Sequence, residues 1–127
     1  MEEVIKKLKF ATSKAVIINS PADLQVAFEK LQYSFEFDKK VKSKYTLIFV
    51  SHSKSLYSFL NKQLKHIEPD SILWIAYPKG TSGIKTDINR DTIRPAVEEY
   101  GIQTVTAISI NDTWSALRFR PIDKVGK

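Results

Sequence analysis

Three uninterrupted apolar runs constrain this chain most: Ala15-Val16-Ile17-Ile18, Leu47-Ile48-Phe49-Val50 and Ile72 to Tyr77. Each is short, β-branched or aromatic in character, and apolar at every position rather than at every second one. A strand of that kind has no solvated face, and such strands occur inside sheets covered on both sides. The runs therefore predict buried strands over Lys14–Asn19, Thr46–Val50 and Ser71–Tyr77. None is long enough to span a bilayer.

The intervening segments carry helical spacing. Glu2 to Phe10 places Val4, Ile5 and Leu8 on one side. Leu24, Ala27, Phe28 and Leu31 recur at i, i+3, i+4 and i+7, and Leu56, Phe59, Leu60, Leu64 and Ile67 form a longer stripe. Ser20 suits an N-cap with Pro21 as the first helical residue, and Ser53 suits the next cap. Glu68-Pro69-Asp70 breaks the third helix. Asn89 can cap a fourth that runs to Tyr100, stopped by Gly101, with Pro95 inside it. Tyr33, Phe35 and Phe37 alternate with polar residues, as in a half-solvated strand. Gln103–Ile110 and Trp114–Arg120 read as strands of an antiparallel hairpin around Asn111-Asp112-Thr113. Pro121 to Lys127 reads as a polar tail.

Strands alternating with helices predict an α/β fold over residues 1–127 as one domain: a three-layer sandwich with a mostly parallel sheet and a C-terminal antiparallel hairpin, methyltransferase-like. Numbered along the chain, six strands are expected in the order 2-1-3-4-6-5. Ligands of such sheets sit beyond the carboxyl ends of the strands. That edge would gather Asn19-Ser20-Pro21, Ser51-His52-Ser53, Pro78 to Gly83 and Asn111-Asp112-Thr113.

Charge is unevenly placed. The 127 residues carry a net charge of +6. Residues 1–66 hold twelve lysines against six acids, and the remainder holds eight cations against eight acids. All four arginines, Arg90, Arg94, Arg118 and Arg120, fall in the second half. Arginine suits fork-like recognition of phosphate or carboxylate, whereas a lysine surplus suits a solvated surface. The absence of cysteine excludes disulfides, thiolate metal sites and a catalytic thiol. Two isolated histidines do not make a transition-metal site. With no apolar leader at the N-terminus, the cytoplasm is the expected compartment.

Pro78-Lys79-Gly80-Thr81-Ser82-Gly83 is the segment best suited to chemistry. Glycine lets backbone amides approach an anion, Lys79 adds charge, and Thr81 and Ser82 add hydroxyls. It lacks Walker A spacing, and the same residues also suit a turn that satisfies itself. Asp112 and Trp114 could orient a base or ribose, or form an Asx turn beside a rim aromatic. Arg118 and Arg120, on one strand face, could grip phosphate or pair with acids such as Glu98 or Glu99. His52 could serve as an acid–base group, although no partner is evident, and His66 suits a helix end. No glycine follows the first strand, so a dinucleotide or S-adenosylmethionine loop is missing there.

Tyr77-Pro78-Lys79-Gly80-Thr81-Ser82, Asn89-Arg90-Asp91 and Asp112-x-Trp114-Ser115-Ala116-Leu117-Arg118-Phe119-Arg120 together resemble the hallmark of an uncharacterised bacterial family, a domain of unknown function. The resemblance covers most of residues 15–121, with Asn19-x-Pro21 a looser match, and Pro95 departs from the family's usual helix residues. It implies a small bacterial cytoplasmic protein and supplies no catalytic role.

These features point first to a binding domain for a small anionic, nucleotide-like ligand, held by Lys79, Thr81, Ser82, Asp112 and Trp114 and needing no cofactor. A degenerate methyltransferase-like enzyme with Asp112 or His52 as base is an alternative. A protein- or RNA-interaction domain using the lysine-rich half is another, although Lys6-Lys7-Lys9 and Lys39-Lys40-Lys42-Lys44 lack interleaved aromatics in sequence. No membrane association is expected.

Overall fold

The computed structural model describes residues 2–10 and 14–125. In chain order the elements are α1 (Glu2–Leu8), β1 (Val16–Ile18), α2 (Ala22–Lys30), β2 (Ser43–Phe49), α3 (Ser53–Lys62), β3 (Ile67–Pro78), α4 (Arg90–Glu98), β4 (Ile102–Ser109) and β5 (Trp114–Pro121). Single 3-10 turns at Leu64–His66 and Ile122–Lys124 complete them. The end of the expected polar tail, residues 126 and 127, lies outside the described residues.

The three apolar runs become β1, β2 and β3, and they lie side by side in a sheet of order β1-β2-β3-β5-β4. β1–β2 and β2–β3 are parallel; β3–β5 and β4–β5 are antiparallel. The sheet is therefore mixed rather than mostly parallel, because β5 runs against both its neighbours. Alternate side chains of each buried strand feed two separate cores. Ile17, Leu47, Phe49, Trp74 and Ala76 pack with Ile5 and Leu8 of α1 and Leu24 and Phe28 of α2. Ile18, Ile48, Leu73, Ile75, Leu117 and Phe119 pack with Leu56, Phe59 and Leu60 of α3 and Ile93, Ala96 and Val97 of α4. Helices thus cover both faces, giving the three expected layers. Full burial of each large side chain stabilises by roughly 1.5–3 kcal/mol.

Several local expectations change. The expected strand Tyr33–Phe37 is reduced to one parallel bridge, Ser34 to Val16, so the sheet has five strands and not six. The bridge lies on the outer side of β1, as the expected order requires. It ends there because Tyr33 and Phe35 pack into one core while Phe37 packs into the other. Glu68-Pro69-Asp70 does not separate helix from strand; it lies within β3, which starts at Ile67. Asp70 takes a left-handed backbone, φ 56°, where the β2–β3 pairing slips register between Ser43 and Tyr45. Helix caps fall one residue away from those expected: Pro21 caps α2, and His52 rather than Ser53 caps α3. Asn89 caps α4 as its sequence predicts, its side chain accepting from Thr92 N at 3.0 Å while Thr92 returns a bond to Asn89 N.

Candidate functional site

The carboxyl end of β3 and the turn of the β4–β5 hairpin, where β4 ends and β5 begins, meet at one edge. Pro78, the last residue of β3, pairs with Trp114, the first of β5. Proline has no N–H to continue the ladder, and Lys79 takes over by donating its backbone N–H to Thr113 O at 2.8 Å. The loop after β3 is thereby bound to the hairpin turn. Its far end is bound as well: Ser53, at the start of α3, donates from N and Oγ to the two oxygens of Asp87, at 2.7 and 2.6 Å. Those two bonds hold the Asp87 carboxyl below the usual aspartate range. Thr86 Oγ1 also donates to Ser51 O. Of the four segments expected at this edge, Pro78 to Gly83 and Asn111-Asp112-Thr113 are thus joined directly, and Ser51-His52-Ser53 is tied to residues 86 and 87 farther along the same loop.

The register of the strands assembles a row of hydroxyls. Tyr77 of β3 sits opposite Ser115 of β5, and Ser115 sits opposite Ser109 of β4. Directly opposed residues share a face, so the three line up across the sheet end. Lys79 Nζ donates to Ser109 Oγ at 2.6 Å at one end of the row. At the other end, the half-buried Tyr77 hydroxyl is pushed up by burial, while nearby Arg90 and a hydrogen bond with Ser115 act in the opposite direction. Arg90 and Asp91, the first two residues of α4, act on that hydroxyl in opposite senses, so the cation fixed to the row by a direct bond is Lys79. The chemistry available to such an arrangement is the binding of an anion rich in acceptor oxygens.

The sequence-derived candidates divide. Lys79 lies at the heart of this edge. Thr81 is exposed on the loop. Ser82 closes a turn, with its N–H on Lys79 O at 3.0 Å and its Oγ accepting from Ile84 N at 3.2 Å. Asp112 is exposed at the hairpin tip. The Asx turn belongs to its neighbour Asn111, whose Oδ1 accepts from Thr113 N and Trp114 N at 2.9 and 2.8 Å. Trp114 is half-buried and places its ring edge-on to Phe49, 5.1 Å between centroids. His52 is exposed, close enough to Asp87 to help lower that carboxyl. Arg120 pairs with Asp70, Nε to Oδ1 2.8 Å, and not with Glu98 or Glu99.

Tyr77, Ser109 and Ser115, not expected as ligand-binding residues, join Lys79 at this edge. Tyr77 and Ser109 sit in apolar-flanked strand ends, and only the hairpin register brings them to Ser115. Among the described residues, no three His, Cys, Asp or Glu side chains come together as a metal site, and no helix is long and apolar enough to cross a membrane.

No family model matches the chain, and neither does any curated protein. Among solved structures it is similar to a candidate type 11 methyltransferase from Sulfolobus solfataricus, at 11% identity and a TM-score of 0.48, covering 100% of this chain and 95% of that one.

Proposed function

We propose that this chain is a binding domain for a small phosphate-bearing ligand of nucleotide class, held at the sheet edge where β3 and β4 end and β5 begins. One observation carries the proposal: the Lys79 ammonium is held against Ser109 Oγ at 2.6 Å, at the end of a row of three hydroxyls on Ser109, Ser115 and Tyr77. A hydroxyl leaves the ammonium's positive charge unneutralised, so an anion arriving there gains a charge-assisted bond. The exposed Thr81 and the backbone of Gly80 would follow the ligand along the loop. Asp112 would stand at the rim as an acceptor suited to a ribose, whereas Trp114, packed against Phe49 on the opposite face of the sheet, would meet only a ligand that reaches around the strand ends.

The test is a titration of ¹⁵N-labelled protein with inorganic phosphate, ATP and S-adenosylmethionine. Phosphate and ATP should shift amides of residues 79–83, 90 and 109–115, and Lys79→Met should weaken both. S-adenosylmethionine is expected not to bind, because β1 leaves through Asn19-Ser20-Pro21 with no glycine for close approach. Binding of S-adenosylmethionine would instead favour the degenerate methyltransferase. Phosphate shifts unaffected by Lys79→Met would sink the assignment of the site.

A further inference from the structure

The lysine surplus of the first half is not dispersed by folding. Ser43, the first residue of β2, pairs with Ile67, the first of β3. That pairing sets the segment holding Lys39, Lys40, Lys42 and Lys44 beside the end of α3 and the following turn, which hold Lys62 and Lys65. All six are exposed. Among the described residues, a single ion pair is found, Arg120–Asp70, which involves none of these lysines. The nearby acids are Glu36, Asp38 and Glu68, three against six lysines, and Asp38 Oδ1 accepts the Lys40 N–H at 2.7 Å.

Aromatic groups, absent from the lysine run in sequence, are supplied by the fold. An open cleft of about 690 Å³ adjoins the patch, lined by Phe35, Phe37, Lys39, Gln63, Lys65 and His66 among others. Phe37 and His66 stack at 5.5 Å with 21° between their planes, and both remain half-buried, as does Phe35. Cations beside a partly accessible aromatic wall form the combination that holds single-stranded nucleic acid: lysines follow the phosphates and rings take the bases. A duplex, whose bases are already stacked, could use only the lysines.

We propose that this cleft and its lysines form a binding surface for single-stranded nucleic acid, separate from the carboxyl-edge site. Fluorescence anisotropy with a labelled oligothymidylate roughly 12 nucleotides long tests it. Binding at low salt should weaken linearly on a log–log scale as salt rises, and Lys39→Glu/Lys65→Glu should lower the slope by about 1–2. Lys30→Glu/Lys124→Glu, with the same change in net charge placed elsewhere, should retain the slope and most of the affinity. Phe37→Leu should lower affinity about fivefold or more with the slope retained. His66→Ser does the same work if Phe37→Leu proves unfolded by circular dichroism. No binding at low salt would overturn the proposal. So would equal weakening by the two double variants, or a duplex bound as tightly as the single strand with Phe37→Leu and His66→Ser both silent. The last result would leave only a lysine surface that attracts any polyanion.

Discussion

Arg120 takes Asp70 in a two-point grip across the amino-terminal end of β3, Nε on Oδ1 at 2.8 Å and Nη2 on Oδ2 at 3.2 Å. The grip holds the Asp70 carboxyl below the usual aspartate range, the hydrogen bond from Arg120 contributing most. Asp87 is lowered in the same sense by Ser53. A carboxyl whose folded value lies below its unfolded one stabilises fully at pH well above the unfolded value, about 3.9. That stabilisation is lost as pH falls through the lower folded value. Urea midpoints measured from pH 6 downward should therefore fall steeply below about pH 4. Asp70→Asn and Asp87→Asn should each flatten that limb while lowering the midpoint at neutral pH. An acid limb unchanged in both variants would show that other carboxyls set it.

Trp74 joins the central strand to the first helix. It is buried on β3, and its Nε1–H donates to Leu8 O, at the end of α1, at 2.9 Å. Trp74→Phe keeps most of the apolar area and leaves that carbonyl without its donor. The cost expected is about 1–3 kcal/mol, seen as a lower denaturation midpoint. Because the lost bond ends on α1, amides of Glu2–Leu8 should exchange faster with solvent, whereas those of α4, against the opposite face, should not. Uniform acceleration would mean that the variant acts through the core alone.

Much of this architecture is legible in the residues. Apolar runs without alternation mark β1, β2 and β3 as strands covered on both faces, and Asn89 with Thr92 marks the start of α4. What escapes is long-range pairing. Nothing within Tyr33–Phe37 says that Phe35 and Phe37 will turn into different cores, so an alternating pattern reads as a strand that the fold cuts to one bridge. Asp70 reads as a helix breaker, and only β5 shows that it meets Arg120. The site divides in the same way. Lys79 stands out beside glycines and hydroxyls, whereas Tyr77, Ser115 and Ser109 become a row only through the register of three strands. The aromatic wall beside the lysines is likewise invisible along the chain, since Phe37 and His66 are brought together by folding.

Ser109 anchors the ammonium of Lys79, so Ser109→Ala separates its two roles. Without the hydroxyl, the cation keeps its charge and loses its orientation. Phosphate affinity should fall less than in Lys79→Met, and the fall should shrink at low salt, where charge alone attracts the anion most strongly. Calorimetric titrations of both variants at two salt concentrations measure this. Equal losses in the two variants at both salts would show that Ser109 contacts the ligand itself.

The glycines give the sharpest separation of folding from binding. Gly83 and Gly101 hold φ of 81° and 82°, a region where an L side chain is strained, so alanine at either should cost about 1–2 kcal/mol. Gly80 is different: its backbone is not in that region, and an added Cβ would meet nothing within 4 Å. Gly80→Ala should therefore leave the denaturation midpoint within about 0.5 kcal/mol of the parent. If a phosphate approaches the loop backbone beside Lys79, that same methyl group would fall in its path and weaken binding. Stability retained and phosphate affinity lost is the expected pair of outcomes, measured by urea denaturation and calorimetry on one sample. Both retained would place the ligand away from Gly80, nearer the Tyr77, Ser115 and Ser109 row. Stability lost would mean that the open space at Gly80 fills in solution by closure of the loop onto itself.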